Sequence, residues 1–517
     1  MKKTINWTLL LLVIVISLTL VACGGGGTTN TNETTEPNNT TGAPADPHSH
    51  CACGGDAVGL GEHTTCTNVE WQPWPGAENA VAGGHYYLTE DVTGDFITTE
   101  TGRNSFALCL NGHNITANKK MVVSGNIIFC DCTETEGTLT SMANDAEGVE
   151  GGIGHLMGGG SVTIYGGNYK LGGAKPVSRA AGWLVYDDAK LIVYGGTLYG
   201  GYATESGGNI YLRSNGELYM YGGSLIQTGD QKHAVRGANI YTDGGNIYLK
   251  GDVFISGGIA EHGGNIYMQG GVCEMTGGVI TNGKTNGTGN GGNVYTKGTV
   301  LFSGGEITNG LASRGGNVFL HSTGAMEMSG TAKIEDGSAV GTREAGKNVG
   351  GNVYVYESAS SYLKLTGGEI IGGTADLGTN IFIAGQDCQV YFDGGKVSGG
   401  TVRMDDETGN AKVIFNGSAV EATVEMGRGI WTIKKVAAPL TLKVLNDITP
   451  NTLKLNLAEV AADCADITID AAKAGANEIV FYTDAATVPA CLKAPAGYTL
   501  ATETTNAATT FKVVLKK

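Results

Sequence analysis

The chain has 517 residues, of which 85 are glycine and only 10 are proline, so glycine stands at about 16% against roughly 7% in average proteins. There is no strict every-third-residue glycine pattern, and 41% of residues are hydrophobic against 16% charged; this excludes collagen and a mostly disordered polymer and implies a repeat protein with a large core. The net charge of −16 argues against a nucleic-acid partner, because phosphate binding needs clustered lysine and arginine.

Met1 to Cys23 opens with Lys2 and Lys3, runs through an apolar stretch from Leu9 to Leu20 and ends Val21-Ala22-Cys23. Positive start, apolar run and small residue before the cut make a signal peptide, and the run falls short of the roughly 20 residues of a bilayer crossing. The ending resembles the lipobox of bacterial lipoproteins. That resemblance implies a lipid on Cys23 and a protein held to the bacterial membrane at the cell surface; an ordinary secretory signal is the alternative. Residues 24–47 are rich in Gly, Thr, Asn and Pro and cannot bury a core, so they read as a flexible tether.

Residues 48–80 form a small Cys/His module containing His48, His50, Cys51, Cys53, His63 and Cys66. Cys51, Cys53, His63 and Cys66 supply the donor types of a tetrahedral structural zinc site. The competing reading for an extracellular protein is a disulfide among Cys51, Cys53 and Cys66 that leaves one thiol over. No His-Glu-x-x-His motif points to a catalytic zinc. The segment through Trp71 and Trp74 resembles a module that precedes repeat regions in surface proteins of clostridia-like bacteria. Further along, Cys109, Cys130 and Cys132 fall in neighbouring strand-like runs and could cross-link adjacent coils, and Cys464 could pair with Cys491.

From residue 81 to about 425 the chain repeats. One unit is an alternating apolar run ending in glycine, as in Val162-Thr-Ile164-Tyr-Gly-Gly, Leu191-Ile-Val193-Tyr-Gly-Gly and Val253-Phe-Ile255-Ser-Gly-Gly, and it recurs about every 28 residues. A second unit is Gly-Gly-Asn followed by an aliphatic and an aromatic residue, with its asparagine at 209, 246, 265, 293, 317 and 352 and a Gly-Thr-Asn variant at 380. Strands this short bury a face only by stacking on the next coil, which predicts an all-β parallel β-helix of roughly ten or more coils. Period-two parity turns Ile210, Ile247, Ile266, Val294, Val318 and Val353 inward and leaves Tyr211, Tyr248, Tyr267, Tyr295, Phe319 and Tyr354 outside as an exposed aromatic column. Cys273 falls on the inward series and reads as a buried core thiol. The repeated asparagines read as a corner ladder, each bonded to the next. Residues 426–517 have less glycine and read as terminal coils with a small β-rich cap.

The repeats resemble the right-handed parallel β-helix proteins of the pectin-lyase-like superfamily, and the Gly-Gly-Asn units resemble repeat adhesins built on such helices. The fold hosts lyases, hydrolases and adhesins alike. Candidate carboxylates (Asp187, Asp188, Glu217, Asp243, Asp252, Glu274, Asp405, Asp406) do not recur beside the His and Arg that the superfamily's hydrolases use, and Gly-rich stretches lack a phosphate-loop lysine. The reading is therefore a lipid-anchored surface β-helix acting in adhesion or glycan binding without catalysis, with the aromatic column as ligand strip and calcium as a bridge to any polyanionic glycan. A polysaccharide lyase or glycoside hydrolase is the alternative, and a structural envelope spacer the second.

Overall fold

The computed structural model describes residues 48–515 apart from short internal stretches at 55–56, 99–100, 144–149, 174, 231, 342–346, 357–359, 385–386, 406–409, 446–451, 471–477 and 506–507. The leader, the Cys23 lipid site and the tether lie outside the described residues. Among those described there is no α-helix, and the chain winds into a parallel β-solenoid of about 13 turns.

Each central coil contributes to three parallel ladders. The first stacks Ser161–Ile164, Lys190–Val193, Glu217–Met220, Asn246–Leu249, Val272–Met275 and Thr299–Phe302 in direct register. The second stacks Thr197–Tyr199, Ser224–Ile226, Phe254–Ser256, Val279–Thr281 and Glu306–Thr308. The third stacks Trp183–Val185, Ile210–Leu212, Ile240–Thr242, Ile266–Met268, Val294–Thr296 and Val318–Leu320. Alternation does what period two demands: Leu218, Met220, Ile247, Leu249, Cys273 and Met275 are all buried in one core that runs the length of the solenoid. Burial raises the Cys273 thiol to about 12, so this residue is the inert core thiol the parity implied.

The glycine pair before most third-ladder strands has two separate causes. Gly291 adopts φ 66°, which side chains disfavour. Gly292 has no room, since a Cβ there would lie 2.0 Å from the Gly316 carbonyl of the next coil. The asparagine that follows completes the corner. Asn209, Asn239, Asn265, Asn293, Asn317, Asn352 and Asn380 are buried, and each Nδ2 donates to the next Oδ1 at 2.7–3.0 Å.

Two assignments change. Asn246 is not in this ladder: its strand pairs with Glu217–Met220 in the first ladder, and Asn239, preceded by Gly237-Ala238, takes the corner. Correspondingly Phe254–Ser256 belongs to the second ladder rather than to the first unit. At the far end Glu478–Thr483 pairs antiparallel with Ala508–Leu515, which pairs antiparallel with Tyr498–Thr505, so a hairpin closes the solenoid as the cap.

Candidate functional site

The Cys/His module lies against the first ladder of the early coils. Ser49–His50 pairs antiparallel with Val69–Glu70, and a turn starting at Cys51 carries the chain to His63 and Cys66. The structure brings the four expected donors together: the ligand atoms of Cys51, Cys53, His63 and Cys66 lie within 4.8 Å of one another. It carries the disulfide of the two alternatives, Cys51–Cys66, with the Cys53 thiol 3.0 Å from His63 Nε2. The other ring nitrogen of His63 meets the Tyr165 hydroxyl at 3.0 Å, which ties the module to the solenoid. Cys109 and Cys132 approach to 3.5 Å, and Cys464 sits beside Cys491, whose thiol burial pushes up to about 11.

The aromatic column exists, but it is not exposed. Tyr211, Tyr267, Tyr295, Phe319 and Tyr354 are 1–6% exposed and, with Tyr241 and Phe382, form a second hydrophobic cluster outside the coil. From Tyr267 through Tyr295 and Phe319 to Tyr354 the rings stack nearly parallel with centroids 4.5–5.2 Å apart, so each face is taken by its neighbour. Arg213, Arg236 and Arg314 lie over rings of Tyr211, Tyr267 and Tyr354, and Val349 and Leu377 pack against the cluster. The outward parity was right, and the exposure was wrong because the chain segment between the second and third ladders folds back over these side chains. Tyr241 was missed because Gly-Ala-Asn replaces Gly-Gly-Asn in front of it; the Asn-Ile-Tyr triplet was the available signal.

Tyr248, the remaining candidate, stands apart on the open face of the first ladder. There it is half-buried and stacks on Tyr219 with centroids 4.5 Å apart; Tyr165, Tyr194 and Tyr221 form a second stack beside it. Successive coils place Ile192, Tyr219, Tyr248, Glu274, Leu301, Glu327, Lys364 and Tyr391 in one line along this face. A shallow depression is lined by Glu62, Lys190, Ile192, Tyr194, Tyr219 and Tyr221, and a larger groove of about 380 Å³ by Glu327, Tyr362, Lys364, Gln389, Tyr391 and Asp393. Hydroxyls and carboxylates meet throughout: Tyr219 donates to Glu217 at 3.1 Å and Tyr362 to Glu327 at 2.6 Å. That hydrogen bond, with burial second, pushes the Tyr362 phenol up to about 12, so it donates as a neutral hydroxyl.

The candidate carboxylates do not converge. Glu217 pairs with Lys190 and Glu274 with Lys250, both at 3.3 Å; Asp243 accepts from Tyr211; Asp187 and Asp188 occupy an exposed turn with positive φ; Asp406 lies outside the described residues. Among the described residues the groups of three or more metal-donor side chains are two Cys/His sets and no carboxylate cluster. No family model matches the chain, and no curated protein or solved structure matches it either.

Proposed function

We propose that this protein is a lipid-anchored bacterial cell-surface β-helix that binds an extended glycan along the open face of the first ladder and acts in adhesion without catalysis. The observation that supports it is the line that runs coil by coil from Ile192 to Tyr391, in which three half-buried tyrosines, two glutamates and a lysine stand with the aliphatic Ile192 and Leu301. Sugars present vicinal hydroxyls to carboxylates and phenols and apolar C–H edges to rings, and a periodic face matches a periodic polymer. The stacked tyrosines here offer edges and hydroxyls. Calcium between Glu217, Glu274 or Glu327 and a polyanionic glycan belongs to the same reading, as does zinc at Cys51, Cys53, His63 and Cys66 when their thiols are reduced. The Cys23 lipid and the tether would hold this face away from the membrane.

The test is retention of the chain from residue 24 onward on immobilised plant, microbial and mucin glycans, with and without Ca²⁺, together with an assay for new reducing or unsaturated chain ends. Retention on one glycan that falls at least tenfold in Tyr219→Ala and Tyr248→Ala, with no new ends, is expected. Release of chain ends, or retention untouched by both substitutions, overturns the proposal.

A further inference from the structure

The module's first two histidines take no part in the Cys51, Cys53, His63 and Cys66 set. His48 and His50 share one side of the extended segment, as residues two apart must, and the turn at Cys51 carries the later donors away. Their rings converge instead on the solenoid. His50 Nε2 lies 2.9 Å from His48 Nε2, Cys132 Sγ lies 3.7 Å from His48 Nε2, and Cys109 Sγ lies 3.5 Å from Cys132 Sγ. All four ligand atoms fall within 4.8 Å of one another.

We propose that His48, His50, Cys109 and Cys132 form a second, structural zinc site that staples the N-terminal module to the first coils. The distances lie close to those the metal sets: with Zn–N of about 2.0 Å and Zn–S of about 2.3 Å, the corners of a tetrahedron stand about 3.3 Å (N to N) to about 3.8 Å (S to S) apart. The contacts of 3.5 and 3.7 Å therefore match, and the 2.9 Å His48–His50 pair has to open by a few tenths of an ångström. The donors suit a borderline-soft cation, two imidazoles with two thiolates, and four protein ligands leave no open position for catalysis. The surroundings hold the ligands as metal sites do. His50 Nδ1 donates to the Cys51 carbonyl at 2.7 Å, which leaves the lone pair on Nε2 pointing at the cluster. The His50 ring stacks on Trp71 and the His48 ring on Tyr87, at 4.6 and 4.3 Å, and Trp71 Nε1 donates to the His50 carbonyl. The cysteines come from the solenoid: Cys109 ends the strand Phe106–Cys109, and Cys132 follows the strand paired with it. On binding, each thiol gives its proton to solvent and its sulfur lone pair to the metal, with no change of oxidation state.

The measurement is zinc content and cobalt absorption of the whole chain after the leader, purified with reductant and loaded with Zn²⁺ or Co²⁺. One equivalent of zinc is expected to persist in Cys51→Ser/Cys66→Ser, which disables the other set, and to be lost in His48→Ala/His50→Ala. Cobalt in the Cys51→Ser/Cys66→Ser chain is expected to give the intense visible bands of a tetrahedral site with thiolate charge transfer. To separate loss of metal from loss of fold, the solenoid's thermal transition is followed in each variant, and the unsubstituted chain is titrated with cobalt. Zinc content unchanged by His48→Ala/His50→Ala, an octahedral cobalt spectrum, or a Cys109–Cys132 disulfide in chain isolated without reductant would each overturn the assignment.

Discussion

Asn293 uses its whole hydrogen-bonding capacity. Nδ2 donates to the Thr308 carbonyl and to Asn317 Oδ1, and Oδ1 accepts from Asn265 Nδ2 and the Gly283 amide, all at 2.7–2.9 Å and out of reach of solvent. Removing the amide orphans buried donors and acceptors in both neighbouring coils, and each orphan costs about 1–3 kcal/mol. Asn293→Ala is therefore expected to lower stability by about 3 kcal/mol or more. Asn246 sits in the same five-residue motif but accepts one bond, from the Val272 amide, at a half-buried position where water can substitute. Asn246→Ala should cost about 1 kcal/mol or less. Urea midpoints of the two variants decide it, and equal losses would refute the ladder as drawn. The pair also marks a limit of local motifs, since nothing within Gly-Gly-Asn-Ile-Tyr distinguishes a corner asparagine from a first-ladder strand.

Element type was readable because period-two alternation is a property of a strand by itself, and so was inward parity at Leu218, Cys273 or Val294. Exposure was not, because it depends on what a remote segment lays over the strand. Tyr267 and Tyr248 each follow an inward isoleucine in the same motif; one is roofed and the other open. The donor set at Cys51, Cys53, His63 and Cys66 was legible from clustering within the chain, whereas His48 and His50 find Cys109 and Cys132 only through the docking of the module. The roofed column carries its own consequence at His321, whose ring lies 4.5 Å from Tyr356 and 5.5 Å from Tyr295. Burial first, then the facing Lys297 and His262, lower its pKa from 6.5 to about 4. A depressed histidine is neutral in the fold and takes up its proton near pH 6.5 when unfolded, so its share of stability is complete above that pH and is lost progressively as pH falls toward 4. His321→Phe keeps the ring and removes the titration. The melting temperature of the variant should decline less than that of the unsubstituted chain between pH 6.5 and 4; parallel declines would show that His321 does not titrate as placed.

The core of a solenoid is continuous, but each coil contributes to it only through contacts with its neighbours, so stability is a sum of coils and of interfaces between neighbours, and the ends are open sheet edges that recruit other chains unless covered. At the N-terminal end the short strand Gln72–Pro73 begins the first ladder by pairing with His85–Tyr87, and the Cys/His module lies on the outer face of that ladder, bonded through His63 to Tyr165. At the other end the cover is the hairpin of Tyr498–Thr505 and Ala508–Leu515, which gives Glu478–Thr483 an antiparallel partner and sets Phe511 on Phe481 with centroids 4.8 Å apart. A chain stopped at Lys493 uncovers that edge and a buried phenylalanine together. Because each coil touches only its neighbours, the loss should not reach the central coils: their unfolding midpoint in urea is expected to stay where it is in the whole chain. Association is what should change, since the net charge of −16 is spread along the solenoid and screened beyond about 8 Å at physiological salt. Light scattering behind size exclusion should show the truncated chain as dimers and larger species, increasingly so as salt is raised, where the whole chain stays monomeric. A truncated chain that remains monomeric at all salt concentrations would mean that the edge is blunted by the Glu478–Thr483 strand itself, and that the hairpin stabilises the last coil without guarding it.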